Sequence, residues 1–176
     1  MDILYNSICE SVLREEEVLS KIGRGVFLMQ EIALVYSVAR SLIDNSSSVF
    51  GSEISDLRTE TNVKGRSGRV DLLIEIEDGR KLVFEFKTRS NAPNCLDDIE
   101  KLRKIDRGYE KYFCALVQVD NEKPFENDTS RVLSSLPDVQ SISEKNIVNF
   151  ETNNYQRKKL EKNVGCLIGL WKINES

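Results

Sequence analysis

Three charged side chains, Asp71, Glu85 and Lys87, interrupt two otherwise apolar runs, Val70-Asp71-Leu72-Leu73-Ile74 and Leu82-Val83-Phe84-Glu85-Phe86-Lys87. The chain contains no histidine, so the general base of a Ser-His-Asp or Cys-His mechanism is missing, and carboxylates and lysines must carry any catalysis. Two carboxylates held close repel each other and call for a cation. A hard divalent ion with oxygen ligands suits them, Mg²⁺ or in its place Mn²⁺. A lysine beside it can orient or deprotonate a water, and an ion so held polarises a phosphodiester and offsets the charge of an in-line displacement. The competing reading is a surface charge ladder in which Lys87 neutralises the carboxylates, an arrangement worth no more than about 1 kcal/mol per pair.

The turn between the two runs decides whether the carboxylates can meet. Val70, Leu72, Ile74 and Ile76 alternate with Asp71, Leu73, Glu75 and Glu77; Leu82, Phe84 and Phe86 alternate with Val83, Glu85 and Lys87. Both runs therefore read as strands. A two-residue Asp78-Gly79 turn would pair Asp71 with Phe86 and send the carboxylates to opposite faces. A three-residue loop, Glu77-Asp78-Gly79, with Gly79 at positive φ in a bulged turn, pairs Ile76 with Arg80 and sets Asp71 opposite Glu85. In that register the apolar residues of both strands share a face and Lys87 joins the carboxylates, so the three-residue loop is expected.

The surrounding elements follow from periodicity. Leu28, Ile32, Val35, Ala39 and Leu42 predict an amphipathic helix from Gly25 to about Asp44, ended by Asn45–Ser48, and a further helix is expected over about 2–21. Arg58–Val63 reads as a strand before a glycine-containing loop. Leu96, Ile99, Leu102, Ile105 and Tyr109 describe a helix, and Phe113–Val119 a buried strand. Beyond Asn121 the expectations are a helix over Thr129–Leu136, a strand over Val139–Ile142, a helix over Tyr155–Asn163 and a strand over Cys166–Ile173.

Composition narrows the function classes. Hydrophobic residues are 40% and charged residues 31% of 176, ordinary for a folded domain. The net charge of −4 lacks the basic balance of a protein that coats nucleic acid. Local basic clusters remain, including Lys101, Arg103, Lys104 and Arg107, each of which alone reads more readily as a solvated face. Cys9, Cys95, Cys114 and Cys166 form no CxxC pair and are expected to be buried, reduced thiols. No apolar run approaches the roughly 20 residues of a membrane span, and acidic Asp2 and Glu10 argue against a secretory signal. A cytoplasmic protein without a membrane partner is expected.

Gly68-Arg69-Val70-Asp71-Leu72-Leu73-Ile74-Glu75 followed by Val83-Phe84-Glu85-Phe86-Lys87 resembles the signature of the PD-(D/E)xK nuclease superfamily, with Val70 where a proline is often found. The resemblance spans about Gly25 to Val119. It implies an α/β fold with a restriction-endonuclease-like core, a central mixed β-sheet flanked by helices. It further implies that Asp71 and Glu85 bind the metal and that Lys87 serves the attacking water. The family often draws another carboxylate from a helix before the sheet, a role that Glu31 matches. One nuclease-like domain over 1–176 is then expected, with its core at about 25–119 and a C-terminal elaboration at about 121–176. Lys64, Arg66, Arg69 and Arg89 are the candidate phosphate contacts. The function so implied is a Mg²⁺-dependent endonuclease, with DNA the favoured substrate, in restriction, defence or repair. The alternative is a catalytically silent nuclease-fold module that binds nucleic acid or a protein. With no recognisable base-reading module, a homodimer or a separate targeting subunit is the expected partner.

Overall fold

The structure, a computed structural model, describes residues 2–65, 68–88, 92–119, 136, 138–141, 148–154 and 162–174. Helix α1 (Asp2–Ser20) is followed by a short 3-10 turn (Val26–Leu28), α2 (Glu31–Asp44) and α3 (Ser46–Phe50). Next come β1 (Ile54–Asn62), β2 (Arg69–Ile76), β3 (Lys81–Thr88), α4 (Ala92–Arg103) and β4 (Glu110–Val119). Three further strands, β5 (Val139–Ser141), β6 (Val148–Asn154) and β7 (Lys162–Ile173), complete an α/β fold on a seven-stranded mixed sheet. The strand order is β1-β2-β3-β4-β7-β5, with β6 also paired to β7. Only β3 and β4 run parallel among the described pairs, as their connection through α4 requires.

Strand alternation divides the core between the two faces of the sheet. Leu72, Ile74, Leu82, Phe84 and Phe86 pack with α1 and α2 residues such as Tyr5, Ile8, Leu34 and Val38. Leu73, Val83, Phe113 and Trp171 pack with Cys95, Ile99 and Leu102 of α4. All four cysteines are free and buried. No helix among the described residues is long and apolar enough to cross a membrane.

Several elements differ from the periodic expectation. The helix expected from Gly25 is interrupted at Met29-Gln30, so that α2 begins at Glu31. The helix expected to reach Tyr109 stops at Arg103, although Ile105 is still buried in the α4-side core. Short α3 follows Asn45 where a loop was expected, and β6 was not anticipated. Val70 joins the α4-side core instead of the face of Leu72. The reason lies in the β1–β2 hairpin, whose tip lies against the segment after α4: Asp106 N–H donates to the Lys64 carbonyl at 3.3 Å, and Val63 joins the same core as Ile105. Most of each helix expected over Thr129–Leu136 and Tyr155–Asn163 falls outside the described residues; Leu136 lies in a bend, and Lys162 and Asn163 belong to β7.

Candidate active site

The β2–β3 connection has the three-residue form. Ile76 N–H donates to the Arg80 carbonyl and Gly79 N–H to the Ile76 carbonyl, both at 2.9 Å, and Gly79 has φ +93°, a value glycine adopts without steric cost. Leu72 then pairs with Phe84 and Ile74 with Leu82. The described pairing ends at Leu72 and Phe84; one residue further the same register would set Asp71 across from Glu85, and alternation along β3 gives Glu85 and Lys87 a common face. Glu85 is 3% exposed and neighbours Phe113 of β4.

Beyond the last described β2–β3 pair, side-chain carboxylates take over the main-chain donors of β3. Asp71 Oδ2 accepts the Phe86 N–H at 2.7 Å, and Glu31 Oε2 accepts the Thr88 N–H at 3.0 Å. Alternate N–H groups along a strand point the same way, so the two carboxylates line one side of the strand end. Glu31 reaches it because α2 starts there, and its charge suits the positive end of the helix dipole. Burial pushes the Asp71 carboxyl above the usual aspartate range. The Phe86 N–H and the Lys87 charge oppose that push, and the negative charges of Glu31 and Glu60 add to it. Exposed Glu60 lies between Thr59 and Thr61, which pair with Leu72 and Val70 on either side of Asp71, and among the described residues it is the non-glycine residue with positive φ, +48°. Strain therefore sits beside a carboxylate whose proton affinity burial raises.

Lys87 joins the helices of both sheet faces. Its Nζ lies 3.5 Å from Glu31 Oε1, at the start of α2, and 3.0 Å from Asp98 Oδ2, in α4. The Asp98 contact is best described as an ion pair, because no hydrogen bond of acceptable angle reaches that oxygen. Burial works against the Lys87 charge, but contact with Asp98 and the negative charges of Glu31 and Asp71 hold the ammonium above the usual lysine range. A lysine so held stays protonated at neutral pH. Of the two duties open to it from sequence, a charged ammonium favours orienting a water over deprotonating one.

Asp98 is the residue that sequence reasoning missed. It is 4% exposed, and its Oδ1 accepts from Lys101 Nζ. The signal was available, since Asp98 lies on the helical stripe of Cys95, Ile99 and Leu102, where an apolar residue belongs.

Of the candidate phosphate contacts, the two that are described, Lys64 and Arg69, are not drawn into this cluster. Lys64 is largely exposed and lies 3.5 Å from Asp106, and Arg69 is exposed at the start of β2. Arg66 and Arg89 lie outside the described residues. Among the described residues, no group of three acidic, cysteine or histidine side chains is close enough to enclose a metal ion. The donors that do converge are hard carboxylate oxygens, and Asp71 combines desolvation with negative neighbours, the two penalties that a bound cation relieves. No model of a known protein family, no curated protein and no solved structure matches this chain.

Proposed function

We propose that the chain is a metal-dependent phosphodiesterase with a restriction-endonuclease-like core, cutting nucleic acid, with DNA the favoured substrate. The observation that carries this reading is the convergence of Asp71 and Glu31 on the Phe86 and Thr88 N–H groups of β3, with the ammonium of Lys87 beside Glu31. Asp71 and Glu85 would hold Mg²⁺ or Mn²⁺ through oxygen ligands. When bound, the ion polarises the scissile phosphodiester and offsets the charge that develops during in-line displacement.

The chain's own residues supply the rest. Asp71 is fixed by the Phe86 N–H, so its carboxylate is already oriented. Lys87, held protonated between Glu31 and Asp98, donates hydrogen bonds to the attacking water or to a phosphate oxygen. Glu31 engages both Lys87 and the Thr88 N–H, and would become a third metal ligand only by loosening that hold. It acts first as the anchor of Lys87.

A second reading, a nuclease-fold module that binds without cutting, is favoured by that same Glu31–Lys87 pairing, which satisfies each charge internally. Incubation of supercoiled plasmid, single-stranded DNA and RNA with the protein in Mg²⁺ or Mn²⁺ separates the two. Nicking or degradation that disappears with EDTA and in Asp71→Asn supports the phosphodiesterase. Tight binding to any of these substrates without cleavage supports the silent module.

A further inference from the structure

Tyr36 is a large aromatic side chain left 55% exposed on α2, about one and a half turns along the helix from Glu31. Its hydroxyl is nevertheless held, since Thr59 Oγ1 on β1 donates to it at 3.3 Å. Thr59 pairs with Leu72, the residue after Asp71, and precedes Glu60, whose negative charge acts on Asp71. The ring thus reaches from α2 to the strand that borders the Asp71 cluster. Long side chains on a helix lean toward its N-terminus, here the end that carries Glu31.

Single exposed apolar residues are common on protein surfaces; the tether and the neighbours set Tyr36 apart. Tyr5 shows what a tyrosine of the core does: its ring is 0% exposed and its hydroxyl donates to the Ile168 carbonyl. Tyr36 has the reverse arrangement, with the hydroxyl engaged and the ring open. On the same exposed stripe of α2, Ala33 offers only a methyl group and Arg40 is exposed. Arg40 forms no ion pair or hydrogen bond among the described residues. Side chains four apart on a helix stand about 5–6 Å apart at Cβ, so an aromatic face and a guanidinium are presented side by side. A base and its own phosphate call for that pair of groups, and a ring held in place before binding lowers the ordering cost.

We propose that Tyr36 is a stacking platform for an unpaired base, with Arg40 on the adjoining phosphate, and that the site therefore takes single-stranded nucleic acid. Bases within a duplex already stack on one another, whereas an unpaired base can be laid on an aromatic ring. That the strand so held is also cut rests on the reading of the Asp71 cluster as a phosphodiesterase site; the stacking does not.

The test is equilibrium binding in EDTA at low salt, read from the fluorescence anisotropy of labelled oligodeoxynucleotides. Three probes are compared: a single strand, the same strand in a duplex, and an abasic strand of the same length. The single strand should bind more tightly than either of the others. Tyr36→Leu should weaken its binding by about 5- to 150-fold, the range for loss of one stacked base, and leave the abasic strand bound as by wild type. Tyr36→Phe keeps the ring and should bind the single strand within a few-fold of wild type. Arg40→Glu should weaken the normal and abasic strands alike. The proposal is overturned if wild type binds no single strand or binds the duplex as tightly. It is equally overturned if Tyr36→Leu, folded by circular dichroism, binds the single strand as wild type does. Cleavage in Mg²⁺ is read separately. Stacking on Tyr36 without any cut keeps the platform and sinks the phosphodiesterase reading; equal cutting of single strand and duplex, unaffected by Tyr36→Leu, does the opposite.

Discussion

Lys87, near the end of β3, and Asp98, in the mid-section of α4, meet at 3.0 Å. The contact places a buried carboxylate under the candidate catalytic lysine, with Glu31 reaching the same ammonium from α2. Each sheet face thus contributes one helix to the position of one side chain.

Asp98→Asn should therefore destabilise the protein by on the order of 3 kcal/mol, the lower end for breaking a buried pair, because Lys87 keeps partial contact with solvent. The pH dependence gives the sign. Lys87 is held above the usual lysine range, so its contribution to stability is complete below that range and is lost as pH rises through the raised value. The gap between wild type and variant, measured by urea denaturation, should be constant near neutrality and shrink in strong alkali. A constant gap at every pH would assign the loss to packing alone.

Substitution of Lys87 itself separates a positioned cation from a general base. Lys87→Ala should slow cleavage by roughly 10²–10³-fold, as removal of an electrostatic donor typically does. Lys87→Arg should recover part of that loss, because the positive charge and donors remain while proton abstraction is impossible. If the arginine variant is as slow as the alanine variant, with folding intact in both, the lysine acts through its proton or its exact shape, and the role assigned to it here is wrong.

The contrast between these residues marks what the sequence could reveal. The β2–β3 register was legible because the glycine-containing turn and the alternating apolar residues independently select the same three-residue loop. The Lys87–Asp98 contact was not, since it depends on how α4 crosses the sheet, a tertiary quantity absent from periodicity. The break at Met29-Gln30 was hidden because Leu28 and Ile32 keep helical spacing across it. Strand β6, rich in asparagine, has low intrinsic strand preference; its state follows from pairing with β7. The placement of Val70 in the α4-side core was likewise invisible, because alternation alone groups it with Leu72 and Ile74.

Gly65 tests the brace between the β1–β2 hairpin and the α4–β4 segment. It has φ +87°, and a Cβ there would meet main-chain atoms of Lys104 and Asp106 rather than a movable side-chain end alone. Gly65→Ala should cost about 1–3 kcal/mol, the range for forced overpacking, read as a fall in thermal midpoint. An unchanged midpoint would mean that the hairpin tip lifts away freely.

Asp71 provides the sharpest test of metal binding, because the fold holds this carboxylate under two penalties. Burial and the negative charges of Glu31 and Glu60 raise its proton affinity above that of an unfolded aspartate. A carboxyl with a raised folded-state value favours the fold most at pH below the ordinary aspartate range, and that contribution is lost as pH rises through the raised value. At neutral pH and without metal, ionised Asp71 is therefore a liability. Asp71→Asn keeps an oxygen able to accept the Phe86 N–H but removes the charge, so the metal-free variant should melt at a higher temperature than wild type at pH 7. The difference should narrow at acidic pH, where wild-type Asp71 is protonated. Addition of Mg²⁺ or Mn²⁺ should reverse the order, raising the wild-type midpoint with ion concentration while leaving the variant nearly unmoved. Calorimetric melting of both proteins across pH and metal concentration measures each part. If neither ion moves the wild-type midpoint, Asp71 is not a ligand in the free protein. If Asp71→Asn melts lower than wild type in metal-free buffer at pH 7, the charge of the carboxylate serves the fold, and the argument for a cation at this position fails.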